Sequence, residues 1–185
     1  MRHIRITKMD DIQTEAIDSL IQAVIALMKE NIMTKQNELS IVNVGMLIRK
    51  PVKEVFEAFI DPAITTKFWF TKSNGRLEKG KHIRWDWEMY GVSAELDVKE
   101  IEQNKRILIQ FNDDTTVEWF FTPRESEGTF IEIKNYGFKG NSPEIVKQVI
   151  DSTGGYTIVL CGLKALLEHN IVLNLVADKF PDANI

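Results

Sequence analysis

Few of the 185 residues carry groups that do covalent chemistry, and their spacing does not gather them. His3, His82 and His169 stand far apart, so neither a metal ligand set nor a nucleophile–base–acid triad has local support. Cys161 follows Leu160 in a helical stretch without the signature of a reactive thiol, and reads as a small buried residue. Asp86 and Glu88 share one side of an alternating stretch whose other side is apolar, and read as solvated acids. Ser73-Asn74-Gly75-Arg76 lacks the spacing of a phosphate-binding glycine loop. These residues assign no catalytic group, no metal and no cofactor. The side chains that can do something are apolar and aromatic, and binding is the chemistry they supply.

The elements that position them follow from periodicity. Ile12 to Ile32 reads as an amphipathic helix, with Ile17, Leu20, Ile21, Val24, Leu27 and Met28 near one face, and Thr34 to Ser40 as a polar linker. Met33 sits at this junction, where an internal start would remove the helix. From Ile41 the period changes to two, with Val42, Val44, Met46 and Ile48 on one side. Lys50-Pro51-Val52 and Asp61-Pro62 open two short helices, the second running through Phe68 and Trp69. Alternating strands follow over 82–89, 92–99, 106–111, 116–122 and 129–136, separated by polar turns, as in an antiparallel meander. Ser142-Pro143-Glu144 reads as the start of a long helix with Ser142 as its cap, loosened at Gly154-Gly155 and presenting Tyr156, Leu160, Leu163 and Leu167 to the sheet.

Composition limits the partners. With 44% hydrophobic and 27% charged residues and a net charge of −4 spread along the chain, there is no single-sign field for nucleic acid or an anionic membrane. The longest apolar run, Ala23 to Met28, is too short to span a bilayer, so no membrane insertion is expected. One cysteine and an N-terminus without the sections of a signal peptide place the protein in the cytoplasm.

Several short motifs occur in a recognisable order. They are Lys50-Pro51-Val52 with Val55, Phe56 and Ala58; Asp61-Pro62 with Phe68-Trp69; Gly80; Gly128 to Ile133; Gly137-Phe138; and Gly155-Tyr156 with Val159, Leu160, Leu163 and Leu167. In this order the chain resembles, over roughly residues 41 to 170, the activator of heat shock protein 90 ATPase homologue family of the START-like (SRPBCC) superfamily. It departs where the family often has tryptophan, at Phe68 and Tyr156. The resemblance implies an α+β helix-grip fold, a curved antiparallel sheet on a long C-terminal helix, with an extra N-terminal helix. The domains are then a helical extension and linker over 1–38, the START-like domain over 39–174 and a C-terminal tail over 175–185.

Family members usually keep a pocket between sheet and helix. Its expected lining here is Trp69, Trp85, Trp87, Met89, Phe111, Trp119, Phe121 and Ile133, with Asn135 at the end of the same strand face and Tyr156, Leu160 and Leu163 from the helix. Asn135 and Tyr156 could hold the polar end of a ligand or be satisfied within the protein. The leading expectation is a module that binds an apolar small molecule of lipid-, polyketide- or aromatic-like character. A cyclase- or hydrolase-type enzyme would use the same cavity with Tyr156 or Glu118 moving a proton; a chaperone partner follows from the family name alone. The apolar stripe of the N-terminal helix is too wide to leave in water, and the favoured partner is the same helix of a second subunit.

Overall fold

The computed structural model describes residues 14–182, which divide at Leu39/Ser40 into two compact units. The first is one helix, α1 (Thr14–Leu39). It continues through the stretch expected as linker, because Lys35, Gln36, Glu38 and Leu39 are helix formers and neither Gly nor Pro interrupts them. Polarity alone does not end a helix.

The second unit runs β1 (Val42–Ile48), α2 (Val52–Ile60), α3 (Pro62–Thr65), β2 (Lys72–Ser73), β3 (His82–Trp87), a 3₁₀ turn (Glu88–Tyr90), β4 (Val92–Glu102), β5 (Arg106–Phe111), β6 (Thr116–Arg124), β7 (Gly128–Tyr136), α4 (Ser142–His169) and α5 (Leu175–Asp178). Seven strands form one antiparallel sheet in the order β1-β7-β6-β5-β4-β3-β2. This is the helix-grip α+β fold expected from the sequence.

The register fixes which face each residue takes. Trp119 stands opposite Ile107 on β5 and Ile133 on β7, and all three are buried on the inner face. Glu118 takes the outer face, where it accepts from Arg106 Nε at 3.0 Å and from the Tyr136 hydroxyl at 2.5 Å. Burial first, and then that carboxylate, push the Tyr136 phenol up to about 12.

Helix α4 is capped by Asn141 rather than Ser142. The Asn141 carboxamide accepts from Glu144 N at 3.1 Å, and the Glu144 carboxylate accepts from Asn141 N at 2.9 Å. The helix then passes Gly154-Gly155 without a break, since two glycines inside 28 residues cost stability but remove no backbone hydrogen bond. Its far end is tied to the sheet: Lys164 Nζ donates to Leu47 O at 2.8 Å, and Glu168 Oε1 accepts from Arg49 N at 2.7 Å.

Candidate ligand-binding site

Contact between α4 and the rest of the domain is tight at one end and open at the other. At the tight end Val159, Leu160, Leu163 and Leu166 are buried, and a Cβ on Gly162 would lie 3.3 Å from both Phe68 Cβ and Phe68 O, so the missing side chain lets the chain around α3 approach. At the open end the helix turns Ser152 and Gly155 toward the space, and a Cβ on Gly155 would meet nothing within 4 Å.

Two adjoining chambers, both open to solvent on one side, occupy that space. The upper one, about 250 Å³, is lined by Trp69, Trp87, Tyr90, Phe111, Tyr156, Ile158, Val159, Val176, Lys179 and Phe180, with Ser152 and Gly155. The lower one, about 360 Å³, shares Trp87, Phe111, Ser152 and Tyr156 with it and adds Ala94, Asp113, Thr115, Asn135, Phe138, Gln148 and Asp151. Together they fall in the range of small-molecule sites, ~300–1,000 Å³. A larger cleft, about 550 Å³, lies outside this region, between residues 47–52 and the hairpin residues 123–128. It is lined by turn residues and charged side chains and lacks the aromatic walls of a site for an apolar molecule.

Of the expected lining, Trp69, Trp87, Phe111, Tyr156 and Asn135 face the two chambers. Trp85, Trp119, Phe121, Ile133, Leu160 and Leu163 are sealed in the core behind them. Trp85 stacks on Phe70 with ring centroids 4.6 Å apart, and Phe121 sits against Phe56 and Phe59 of α2 at 5.0 and 5.6 Å. Trp119 is 1% exposed, and its Nε1 is the one buried side-chain polar atom without a partner among the described residues. Met89 leaves the strand face altogether. β3 ends at Trp87, and Met89 lines a separate space of about 150 Å³ with Phe68, Gly162 and Leu173.

The C-terminal segment is what periodicity missed. Residues 175–185 read as a tail, yet Val176, Lys179 and Phe180 wall the upper chamber, and the Tyr90 hydroxyl donates to Val176 O. The Phe180 ring lies 6.3 Å from that of Tyr90. The signal was Leu173, Leu175, Val176 and Phe180, apolar residues too frequent for a solvated tail.

The polar groups divide as follows. The Tyr156 hydroxyl makes no hydrogen bond to any described residue, and burial, with the Asp113 carboxylate behind it, holds its phenol above the ordinary value. Asn135 is 4% exposed and donates from Nδ2 to Thr116 O at 3.0 Å. Asp113 Oδ1 accepts from Thr115 N at 2.8 Å and Thr115 Oγ1 at 2.6 Å. His82 lies on the outer face with Nδ1 2.9 Å from Asp97 Oδ1, and Asp86 is held by Arg84 Nε at 2.8 Å and Ser93 Oγ at 2.6 Å. Cys161 is half-buried rather than buried. Among the described residues no three His, Cys, Asp or Glu side chains cluster as a metal site, and no helix is long and apolar enough to cross a membrane.

No curated protein matches the chain. Among solved structures, a Staphylococcus saprophyticus protein is 28% identical with a TM-score of 0.64, covering 72% of this chain and 95% of its own. The Aha1 dimer of Colwellia psychrerythraea is 16% identical at 0.61, covering 70% and 96%. DynU16, a protein of the dynemicin biosynthetic locus, is 21% identical at 0.63, covering 72% of this chain and 49% of that one. The family described as Activator of Hsp90 ATPase homolog 1-like protein matches residues 49–168, and the chain belongs to that family.

Proposed function

We propose that this protein binds an apolar small molecule between the sheet and α4, without a chemical step. The observation that carries the reading is the paired space walled by Trp69, Trp87, Phe111 and Tyr156, where α4 turns Ser152 and Gly155 toward it and a Cβ on Gly155 would meet nothing. Apolar burial supplies the affinity, at roughly 25 cal/mol per Å² of surface removed from water before the costs of binding. Similarity to DynU16, from a locus that makes a small molecule, is consistent with such a ligand. Of the two groups offered by the sequence for proton transfer, Glu118 faces away from the cavity and the Tyr156 phenol is held protonated. The chaperone reading rests on the family's name alone. The binding unit on this account is 39–174 extended by the segment through Phe180, and its place is the cytoplasm.

Nile red, neutral and apolar, tests this. Saturable fluorescence enhancement with a matching rise in melting temperature is expected, because a ligand that prefers the native state stabilises it by mass action. Enhancement that never saturates, with an unchanged melting temperature, would contradict it.

The reading extends to a homodimer through α1. Ile17, Leu20, Val24 and Leu27 recur at alternating steps of three and four, with β-branched residues at one position and leucine at the other, a pattern suited to a two-stranded coiled coil. Within α1 these side chains are exposed, Leu20 at 66% and Leu27 at 60%. The dimeric Aha1 neighbour is consistent with self-association in this fold. Sedimentation equilibrium of the full chain should give a dimer that Leu20→Glu with Leu27→Glu converts to monomer. A wild-type monomer at all concentrations would overturn it.

A further inference from the structure

The seam of α1 does not end with its apolar residues. Ile17 and Val24 take the a positions of two heptads and Leu20 and Leu27 the d positions, and the helix runs on without a break to Leu39. Continued in the same register, the sequence places Asn31 at the next a position. An asparagine at a single a position fixes register and strand number at a cost in stability, because its carboxamide is matched only by the same residue of an aligned neighbour.

The flanks of the seam carry a second signal. Ala23 and Glu30 fall at g positions, and Met28 and Lys35 at e positions. In a parallel pair each g residue faces the e residue five positions later on the other helix. Ala23 then makes room for Met28, which is exposed on a single α1, and Glu30 meets Lys35 with opposite charge.

Antiparallel pairing loses both relations. If Val24 is set against Leu27 of a second copy, Asn31 falls against Leu20, and its amide faces a side chain that can neither donate nor accept. If Ile17 is set against Leu27 instead, the apolar layers are kept, but residues 31–39 run past the start of the other α1 and lose their partner. In neither arrangement does Glu30 face Lys35.

We propose that α1 pairs with α1 of a second copy in parallel and in register, with Asn31 against Asn31. Because Ser40 follows Leu39 directly, the two chains enter their binding domains at the same end of the coiled coil. The proposal rests on the dimer reading above and adds its direction.

Disulfide formation in the full chain reads that direction. Ile17→Cys and Leu27→Cys are made separately in a Cys161→Ser background, one of the two is labelled with ¹⁵N, and equal amounts are mixed in a glutathione redox buffer. A parallel pair brings each new thiol against its own counterpart, so mass spectrometry should find disulfides within each variant in about tenfold or greater excess over disulfides between the variants. Asn31→Ile should tighten the dimer about tenfold or more in sedimentation equilibrium, since the seam no longer holds an amide. Disulfides chiefly between the variants, or association unchanged in Asn31→Ile, would overturn the parallel assignment and leave the dimer standing. A wild-type chain that is monomeric at all concentrations, with no disulfide above the level of a Gln22→Cys control on the opposite face of α1, would overturn both.

Discussion

The Tyr90 hydroxyl donates to the backbone carbonyl of Val176, joining the 3₁₀ turn after β3 to the C-terminal segment that walls the cavity. The bond spans 86 positions of sequence and holds one side of the upper chamber in place. Tyr90→Phe keeps the ring beside Phe180 and removes only this donor. Amide exchange over residues 175–180 should then quicken, while global stability falls by about 1 kcal/mol or less, the usual net value of one hydrogen bond. Unchanged exchange there would show that the packing of Val176 and Phe180 alone holds the segment.

Gly155 is where stability and binding should part. It lies inside α4, faces the upper chamber, and has open space where a side chain would go. Gly155→Leu should stabilise the fold by roughly 0.5–1 kcal/mol through helix propensity and reduced freedom of the unfolded chain. The same side chain should fill the chamber and weaken Nile red binding. Urea unfolding and dye titration on one preparation check both, and a variant less stable than the wild type would mean that the space is not open.

The tight and open ends of α4 should respond differently to truncation. Leu160→Ala removes a side chain that is 1% exposed and should cost about 2–5 kcal/mol. Ile158→Ala cuts a side chain that borders the upper chamber and should cost about 1 kcal/mol or less. Equal losses in chemical denaturation would mean that both ends are packed alike.

His82 provides a pH dependence of defined sign. Its hydrogen bond to Asp97, opposed by desolvation and supported by the charges of Asp97 and Glu95, raises the imidazole above its ordinary value, and the same bond lowers Asp97. The raised histidine contributes stability that is complete below about pH 6.5 and lost as pH rises through its higher folded value. The lowered aspartate contributes above about pH 4 and loses its share as pH falls. His82→Gln should therefore lower the melting temperature near pH 5.5 and have little effect at pH 8.5, with the difference shrinking in high salt because both groups are exposed. A deficit that is the same at both pH values would contradict this.

Strand faces and the long helix were legible because period two and period 3.6 report directly which side of an element is dry. They could not say how closely two dry sides approach. Trp85 and Trp87 have the same parity, yet Phe70 stacks on the first and seals it, while the second faces the chambers. Nothing in the alternation of His82 to Met89 announces that difference, or that the chain turns into a 3₁₀ turn after Trp87. The C-terminal wall escaped for another reason: Val176 and Phe180 belong to a segment with only one turn of helix, too short for periodicity to speak. Gly155 was visible as a glycine in a helix, and its consequence, room for a ligand, depends on the sheet opposite.

The indole N–H resonances of the four tryptophans give the most direct test of the central claim. Trp69 and Trp87 line the upper chamber, whereas Trp85 and Trp119 are sealed behind it. In a ¹H–¹⁵N correlation spectrum of the full chain titrated with naphthalene, the Trp69 and Trp87 indole peaks should move farthest and saturate together, and Gly155→Trp should abolish those shifts while the protein stays folded. Four indole peaks that stay in place, or shifts that survive Gly155→Trp unchanged, would contradict binding of an apolar molecule between the sheet and α4.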